Sequence, residues 1–127
     1  MSNVDIILPT YNCEKTIDET INSVINQSFK DWNLIVIDDA STDSTVIQIK
    51  QYLKDNRVSF KILKRNKGAG FCRNLGIRQS KSKYVAFIDS DDLWKENKLK
   101  AQLEFIEKNN LEFSYTDFIP FKTKNEK

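Results

Sequence analysis

The chain contains no histidine in 127 residues. That removes imidazole as a base, nucleophile or metal ligand from this stretch. Any cation must be held by oxygen donors, which favours Mg2+, Mn2+ or Ca2+. Cysteine is almost as scarce. Cys13 and Cys72 are too few for a disulfide framework, and neither has an imidazole to serve as its base. Cys13 falls near an expected helix start, a place that lowers a thiol pKa, but both thiols read as packing residues. No apolar run approaches the roughly 18–20 residues that span a bilayer. Met1-Ser2-Asn3 leads straight into a strand pattern, so no signal peptide is expected and a cytoplasmic location is. The net charge of +2 is too small to argue for nucleic acid or a membrane surface, and the densest basic run, Lys61 to Lys67, is short.

What is present is ordinary for one globular domain: 39% hydrophobic and 30% charged residues. Four short apolar runs read as strands: Val4 to Leu8, stopped by Pro9; Leu34 to Ile37; Val58 to Leu63; and Tyr84 to Ile88, a buried strand. A fifth is expected over Leu111 to Tyr115. Between them, helical spacing covers Thr16 to Ile25 and Phe71 to Gln79, and Lys98 to Lys108 follows the fourth strand. Another helix is capped by Asp43 or Ser44, with Val46, Ile47, Ile49, Tyr52 and Leu53 on its apolar side. Alternating strands and helices predict an α/β fold, a Rossmann-like and mostly parallel sheet flanked by helices. Right-handed crossovers put the strand C-termini on one edge. The tail from Lys122 is charged and expected to fray.

Three polar clusters then fall on that edge, where open α/β sheets bind ligands. Pro9-Thr10-Tyr11-Asn12 follows the first strand and Asp38-Asp39-Ala40-Ser41-Thr42-Asp43 the second. Asp89-Ser90-Asp91-Asp92 follows the fourth. Carboxylates crowded at a strand end repel unless a cation or ligand compensates them. That reading competes with plainer ones. Thr10, Asn12 and Glu14 can turn the chain and cap a helix, and Asp38 to Asp43 can do the same. Acids also suit a helix N-terminus. Tyr11 can stack on a base or simply pack. Lys67 and Arg73 bracket a glycine-bearing loop that suits a diphosphate, or they form surface salt bridges. Asn66-Lys67-Gly68-Ala69-Gly70 is neither a Walker loop nor the six-residue dinucleotide fingerprint.

Four motifs in order carry a resemblance: Ile6-Ile7-Leu8-Pro9-Thr10-Tyr11-Asn12, Val36-Ile37-Asp38-Asp39-Ala40-Ser41-Thr42-Asp43, Gly70-Phe71-Cys72-Arg73-Asn74-Leu75-Gly76-Ile77 and Phe87-Ile88-Asp89-Ser90-Asp91-Asp92. Together they resemble family 2 glycosyltransferases of the GT-A, nucleotide-diphospho-sugar transferase type, over Val4 to about Tyr115. The resemblance implies a nucleotide-sugar donor domain over residues 1–119, with 120–127 as the charged tail. Tyr11, with Pro9 and Thr10, would meet the base and ribose of a nucleotide such as UDP, and Asp39 would hydrogen-bond the base. Lys67, Gly68 and Arg73 would line the pocket; Asn12, Glu14 and Ser90 complete the nucleotide-binding set. Asp89 and Asp91 are the Asp-x-Asp pair. Asp91 would bind Mn2+ or Mg2+, Asp89 the ribose or the metal, and Asp92 would cap the next helix.

The family inverts the anomeric carbon with a carboxylate base, and its usual settings imply a saccharide or lipid-linked acceptor in surface-polysaccharide assembly, at the inner membrane face through regions absent here. Cys72 and Glu96 stand where alanine and proline are usual, a change neither site nor helix start opposes. Length is the larger departure. The chain is expected to be truncated, with the acceptor half and general base missing; nothing around Asp117 looks like that base. An apolar surface around Phe113, Tyr115, Phe118, Ile119 and Phe121 is expected to be left exposed and to promote self-association. The rival readings fit less well. A dehalogenase-like phosphatase has its acid pair after strand one; a receiver domain needs an acceptor and lysine that Lys64 and Thr116 do not supply. A calcium loop needs a glycine absent after Asp89. A non-catalytic nucleotide-binding or interaction scaffold is the remaining alternative.

Overall fold

A computed structural model describes residues 3–110 of the chain. Four strands and four helices alternate. The strands are β1 (Val4–Thr10), β2 (Trp32–Asp38), β3 (Val58–Ile62) and β4 (Tyr84–Phe87). The helices are α1 (Ile17–Ile25), α2 (Thr45–Lys50), α3 (Ala69–Gln79) and α4 (Lys98–Lys108). The sheet runs β3-β2-β1-β4, and all three pairings are parallel. The expected fifth strand, and the aromatic surface from Phe113 to Phe121, lie outside the described residues.

Strand alternation divides the core into two layers. Val4, Ile6, Leu8, Trp32, Leu34, Val36 and Val58 point to one face and pack with Ile17, Ile21 and Val24 of α1, Ile49 of α2, and Leu99 and Leu103 of α4. Ile35 and Ile37 point to the other face, where Cys72 and Leu75 of α3 meet them. The face change has a geometric cause. The crossovers through α1 and α2 step the sheet one way, and the crossover through α3 steps back past β2 and β1 to β4. Keeping one handedness while reversing direction requires the opposite face. The reversal makes the gap between β1 and β4 the switch point.

Several expected boundaries shift for physical reasons. Pro9 does not stop β1, which pairs through Thr10↔Asp38. Ile7 O accepts from Ile88 N, so by alternation Pro9 faces β4, beyond the last β1–β4 pair at Ile7↔Phe87. Its missing N–H therefore breaks no ladder bond. Among the described residues β4 is not a buried strand either: Val85 and Phe87 are 38% and 42% exposed, where β4 pairs only with β1 and α3 covers the β1–β2 side of that face. α2 ends at Lys50, and Ile47 and Leu53 stay exposed; five apolar residues that include adjacent pairs cannot share one narrow helical stripe.

Two buried polar groups bind the layers together. Gln27 Nε2 donates to Lys95 O (2.7 Å) and Ser23 O (3.1 Å), and its Oε1 accepts from Leu99 N (3.0 Å). That joins the end of α1 to the start of α4. On the opposite face, Asp5 accepts from Ser80 and Ser82 hydroxyls, from Lys81 and Ser82 N–H, and from Asn33 Nδ2. Burial pushes the Asp5 carboxyl up, but these donors outweigh it and hold the group below the usual carboxylate range. A depressed folded pKa stabilises the native state above the unfolded value, about 3.9, and the contribution fades as pH falls through the folded pKa. Asp5→Asn is therefore expected to cost about 1–3 kcal/mol near pH 7, with the gap to wild type closing below about pH 4. Urea unfolding across that range measures it.

Gly76 sits inside α3 because the helix lies close on β1. A Cβ there would stand 2.6 Å from Ile7 Cγ2, well inside contact distance. Gly76→Ala is expected to destabilise by about 1–3 kcal/mol through overpacking, against alanine's better helix propensity. A rise in the urea midpoint would show that the close approach does not constrain the helix.

Candidate functional site

The C-terminal sheet edge is organised around two adjacent acids at the end of β2. Asp38 is fully buried. It accepts from Thr10 Oγ1 (2.7 Å), Ser41 N (2.8 Å) and Ser41 Oγ (2.6 Å), locking the ends of β1 and β2 together. Ser41 Oγ in turn accepts from Asn12 N (2.8 Å). Ala40 and Asn12 hold positive φ angles of 65° and 44°, a conformation asparagine tolerates better than alanine. The loop bonds are what keep Ala40 there.

Asp39 turns the other way. Its carboxylate accepts from Lys67 N (2.7 Å) and Gly68 N (2.9 Å), while its own N–H donates to Thr10 O (2.8 Å). Gly68 has φ 95°, open only to glycine without strain. One carboxylate thus pins the start of α3 to the end of β2. Further along α3, Arg73 Nη2 donates to Asp89 Oδ1 at 3.1 Å, joining the helix to the loop after β4.

The first loop is braced rather than free. Asn12 Oδ1 accepts from Thr42 N (2.7 Å) and Asp43 N (3.3 Å). Glu14 Oε1 accepts from Ser44 N (2.9 Å), and Glu14 N donates to Asp43 Oδ2 (3.3 Å). Asp43 also caps α2 through Thr45 N (2.9 Å). Slight desolvation raises its pKa, but the bonds from Thr45 and Glu14 prevail and lower it. Tyr11 alone in this loop presents a half-exposed ring at the edge.

The acidic turn closes on itself. Asp92 N donates to Asp89 O (3.0 Å) and Asp92 Oδ2 accepts from Asp89 N (3.1 Å). Asp92 was expected to cap the next helix, but α4 starts well beyond it, at Lys98, with Asn97 at its N-cap. The Ser90 carbonyl accepts from the hydroxyls of Thr16 (2.8 Å) and Thr20 (2.9 Å). Asp89 and Asp91 remain exposed.

Among the sequence-derived site residues, Thr10, Asp39, Lys67 and Gly68 meet in one network and Arg73 and Asp89 in another, bridged by α3. Pro9 and Tyr11 lie beside Thr10, and Ser90 and Asp91 beside Asp89. Asn12 and Glu14 spend their side chains on bracing. Sequence reasoning placed Asp38 and Ser41 in the second polar cluster without giving either a role of its own, and it gave none to the Thr16 and Thr20 hydroxyls. A Thr-x-x-x-Thr spacing at a helix start places both hydroxyls on one side and was the available signal. A concavity of about 580 Å³ lies at the opposite sheet edge, against Asp5, Asn33 and Arg57. It is not where the exposed acids, glycine loop and aromatic ring converge.

Among the described residues, no group of three or more His, Cys, Asp or Glu side chains is placed to hold a metal ion. An all-protein metal cage is therefore absent among the described residues; Asp91 is exposed and Asp89 pairs with Arg73.

A parallel α/β sheet with its acidic and glycine loops at the switch point defines a nucleotide-binding transferase fold of the GT-A type, and comparison with solved structures agrees. S. aureus TarS residues 1–349 in complex with UDP-GlcNAc superimposes with a TM-score of 0.81 at 34% identity, over 87% of this chain and 32% of that one. A mannosyltransferase from Pyrobaculum calidifontis shares the fold, with a TM-score of 0.77 at 23% identity, over 82% of this chain and 32% of that one. The chain belongs to glycosyl transferase family 2, whose profile matches residues 5–126.

Among relatives, a putative teichuronic acid biosynthesis glycosyltransferase of Bacillus subtilis is 42% identical over 116 residues, covering 91% of this chain and 46% of the relative. An Escherichia coli UDP-Glc:alpha-D-GlcNAc-diphosphoundecaprenol beta-1,3-glucosyltransferase is 38% identical over 115 residues, covering 91% and 45%. The chain thus spans less than half the length of these two relatives.

Burial raises the pKa of both thiols. Burial raises the Cys13 thiol, contrary to the lowering expected near a helix start: Cys13 precedes the helix, and its carbonyl accepts from Thr16 N and Ile17 N. Burial, then the charges of Asp39 and Asp38, push Cys72 up to about 11. In a Cys13→Ser background, iodoacetamide at pH 8 is expected to alkylate Cys72 at least about a hundredfold more slowly in folded than in urea-unfolded protein, from the drop in thiolate fraction alone. Equal rates would show that Cys72 is not shielded.

Proposed function

We propose that this chain is the donor-binding part of a glycosyltransferase that uses a nucleoside-diphosphate sugar, with UDP as the favoured nucleotide. The observation that carries the reading is that α3 is tied at two points along the C-terminal sheet edge, by Asp39 on Lys67 and Gly68 and by Arg73 on Asp89, with Asp91 exposed next to Asp89 in the chain. Support for UDP comes from relatives: TarS, 34% identical over most of this chain, is solved with UDP and with UDP-GlcNAc, and the Escherichia coli relative is named for a UDP-glucose donor.

In this reading Tyr11 stacks on the base, beside Pro9 and Thr10. Asp39 keeps lone pairs beyond its two backbone bonds and accepts from the base edge, so that base recognition and loop position share one carboxylate. Arg73 and the start of α3 face the diphosphate, where a guanidinium and a helix N-terminus favour anionic oxygen. Mn2+ or Mg2+ on Asp91 and Asp89 supplies Lewis-acid neutralisation of the diphosphate leaving group. The chain's own part is to bind and orient the donor so that its anomeric carbon faces an acceptor hydroxyl. Transfer proceeds with inversion to a saccharide or lipid-linked acceptor, the general base coming from outside the described residues. Residues 1–119 form the donor domain. Self-association through an apolar surface around Phe113, Tyr115, Phe118, Ile119 and Phe121 is part of the reading.

Calorimetry with UDP, GDP and dTDP, each with Mn2+ and with chelator, tests it on wild type and Asp91→Ala. The expected result is Mn2+-dependent binding of UDP, weakened about tenfold or more in the variant, a loss of roughly 1.4 kcal/mol or more. Absence of binding for all three at millimolar concentration would sink the donor-site reading.

A further inference from the structure

Two threonines on α1 are used against their usual roles. Thr16 is the N-cap of α1, yet its side chain makes no capping bond. Threonine at that position normally accepts from a backbone N–H of the first turn, and losing that bond costs about 1 kcal/mol. Here the hydroxyl donates to Ser90 O at 2.8 Å. Thr20 lies on the inner face of the same helix, fully buried between positions filled by Ile17, Ile21 and Val24. A helical threonine commonly donates to the carbonyl four residues back, which here belongs to Thr16. Thr20 instead donates to Ser90 O at 2.9 Å. Two hydroxyls 4 positions apart on one helix therefore converge on one carbonyl, about seventy residues away in sequence.

That carbonyl belongs to the residue between Asp89 and Asp91. In a trans peptide the N–H points opposite to the C=O. With Ser90 O drawn onto α1, the Asp91 N–H points away from α1. The turn is closed from its other end by the Asp89–Asp92 bonds. Asp89 and Asp91 are exposed carboxylates two residues apart and repel each other, so the backbone between them needs a fixed position to keep both facing one ligand.

We propose that Thr16 and Thr20 are positioning residues for the acidic turn, fixing the Ser90–Asp91 peptide so that Asp89, Asp91 and the Asp91 N–H face one cation-bound diphosphate. This rests on the donor-site reading above. The threonines touch neither nucleotide nor cation; they act through the main chain of Ser90. The helix that begins just after the Tyr11 loop thereby ties the base end of the site to its phosphate end.

The test compares Thr16→Val/Thr20→Val, which trades each hydroxyl for a methyl, with Thr16→Ser/Thr20→Ser, which keeps both donors. UDP affinity is measured with Mn2+ and with chelator, and amide hydrogen exchange of residues 89–92 is followed in metal-free protein. The valine pair is expected to lose about tenfold of the Mn2+-dependent gain, as for one or two lost hydrogen bonds. Its chelator-state affinity should stay unchanged, and its turn amides should exchange faster. The serine pair is expected to restore both. If the valine pair does not fold, Thr16→Val alone, at a partly exposed site, carries the same comparison with a smaller loss. A folded valine variant with the wild-type gain and wild-type exchange overturns the positioning role and leaves the donor reading intact. Equal losses with and without metal overturn it as well, since they mark a general packing defect. A wild-type protein showing no Mn2+-dependent gain overturns the donor reading, and the positioning role falls with it.

Discussion

The Asp38 carboxylate is the fixed point of this structure. It is wholly buried at the end of β2, and its cost of desolvation is met by three short bonds from Thr10 and Ser41. A buried carboxylate with its donors in place is a rigid joint, because any displacement strands a charge in a poor dielectric. From that joint the loop through Ala40 and Ser41 takes its shape. The Asn12 and Glu14 braces attach to that loop, and Asp39 is aimed at the start of α3. The edge proposed to meet the nucleotide thus takes its shape from a buried carboxylate beneath it.

Much of this edge was legible in the sequence because its signals are local. The strand cores, the placing of three polar clusters at strand ends, and the helix over Lys98–Lys108 follow from apolar spacing and from residues that break it. The family resemblance rested on those same clusters. What stayed hidden was relational. Asp38 and Asp39 are chemically identical neighbours, and only the strand's alternation makes one a buried joint and the other a clasp on a distant loop. Thr16 and Thr20 read as ordinary helix residues until Ser90 lies above them. Pro9 looked like a stop because the side of β1 that its missing N–H faces depends on where β4 ends.

The errors over burial share a cause. Tyr84 to Phe87 has the apolar run of a strand covered on both faces, yet among the described residues one side of β4 is only partly covered, at Val85 and Phe87. Composition reports what a strand is suited to meet, whereas exposure reports what is there to meet it. Among the described residues the two kinds of information part company at this strand.

Gly76 has a consequence beyond packing. Because that residue lacks a side chain, α3 rides lower over β1 than two ordinary surfaces permit. The same helix carries Gly68's neighbours at its start and Arg73 a turn later, so its height above the sheet fixes the reach of both contacts together. The glycine works as a gauge block: set at the floor of the domain, it determines how wide the crevice stands at the rim.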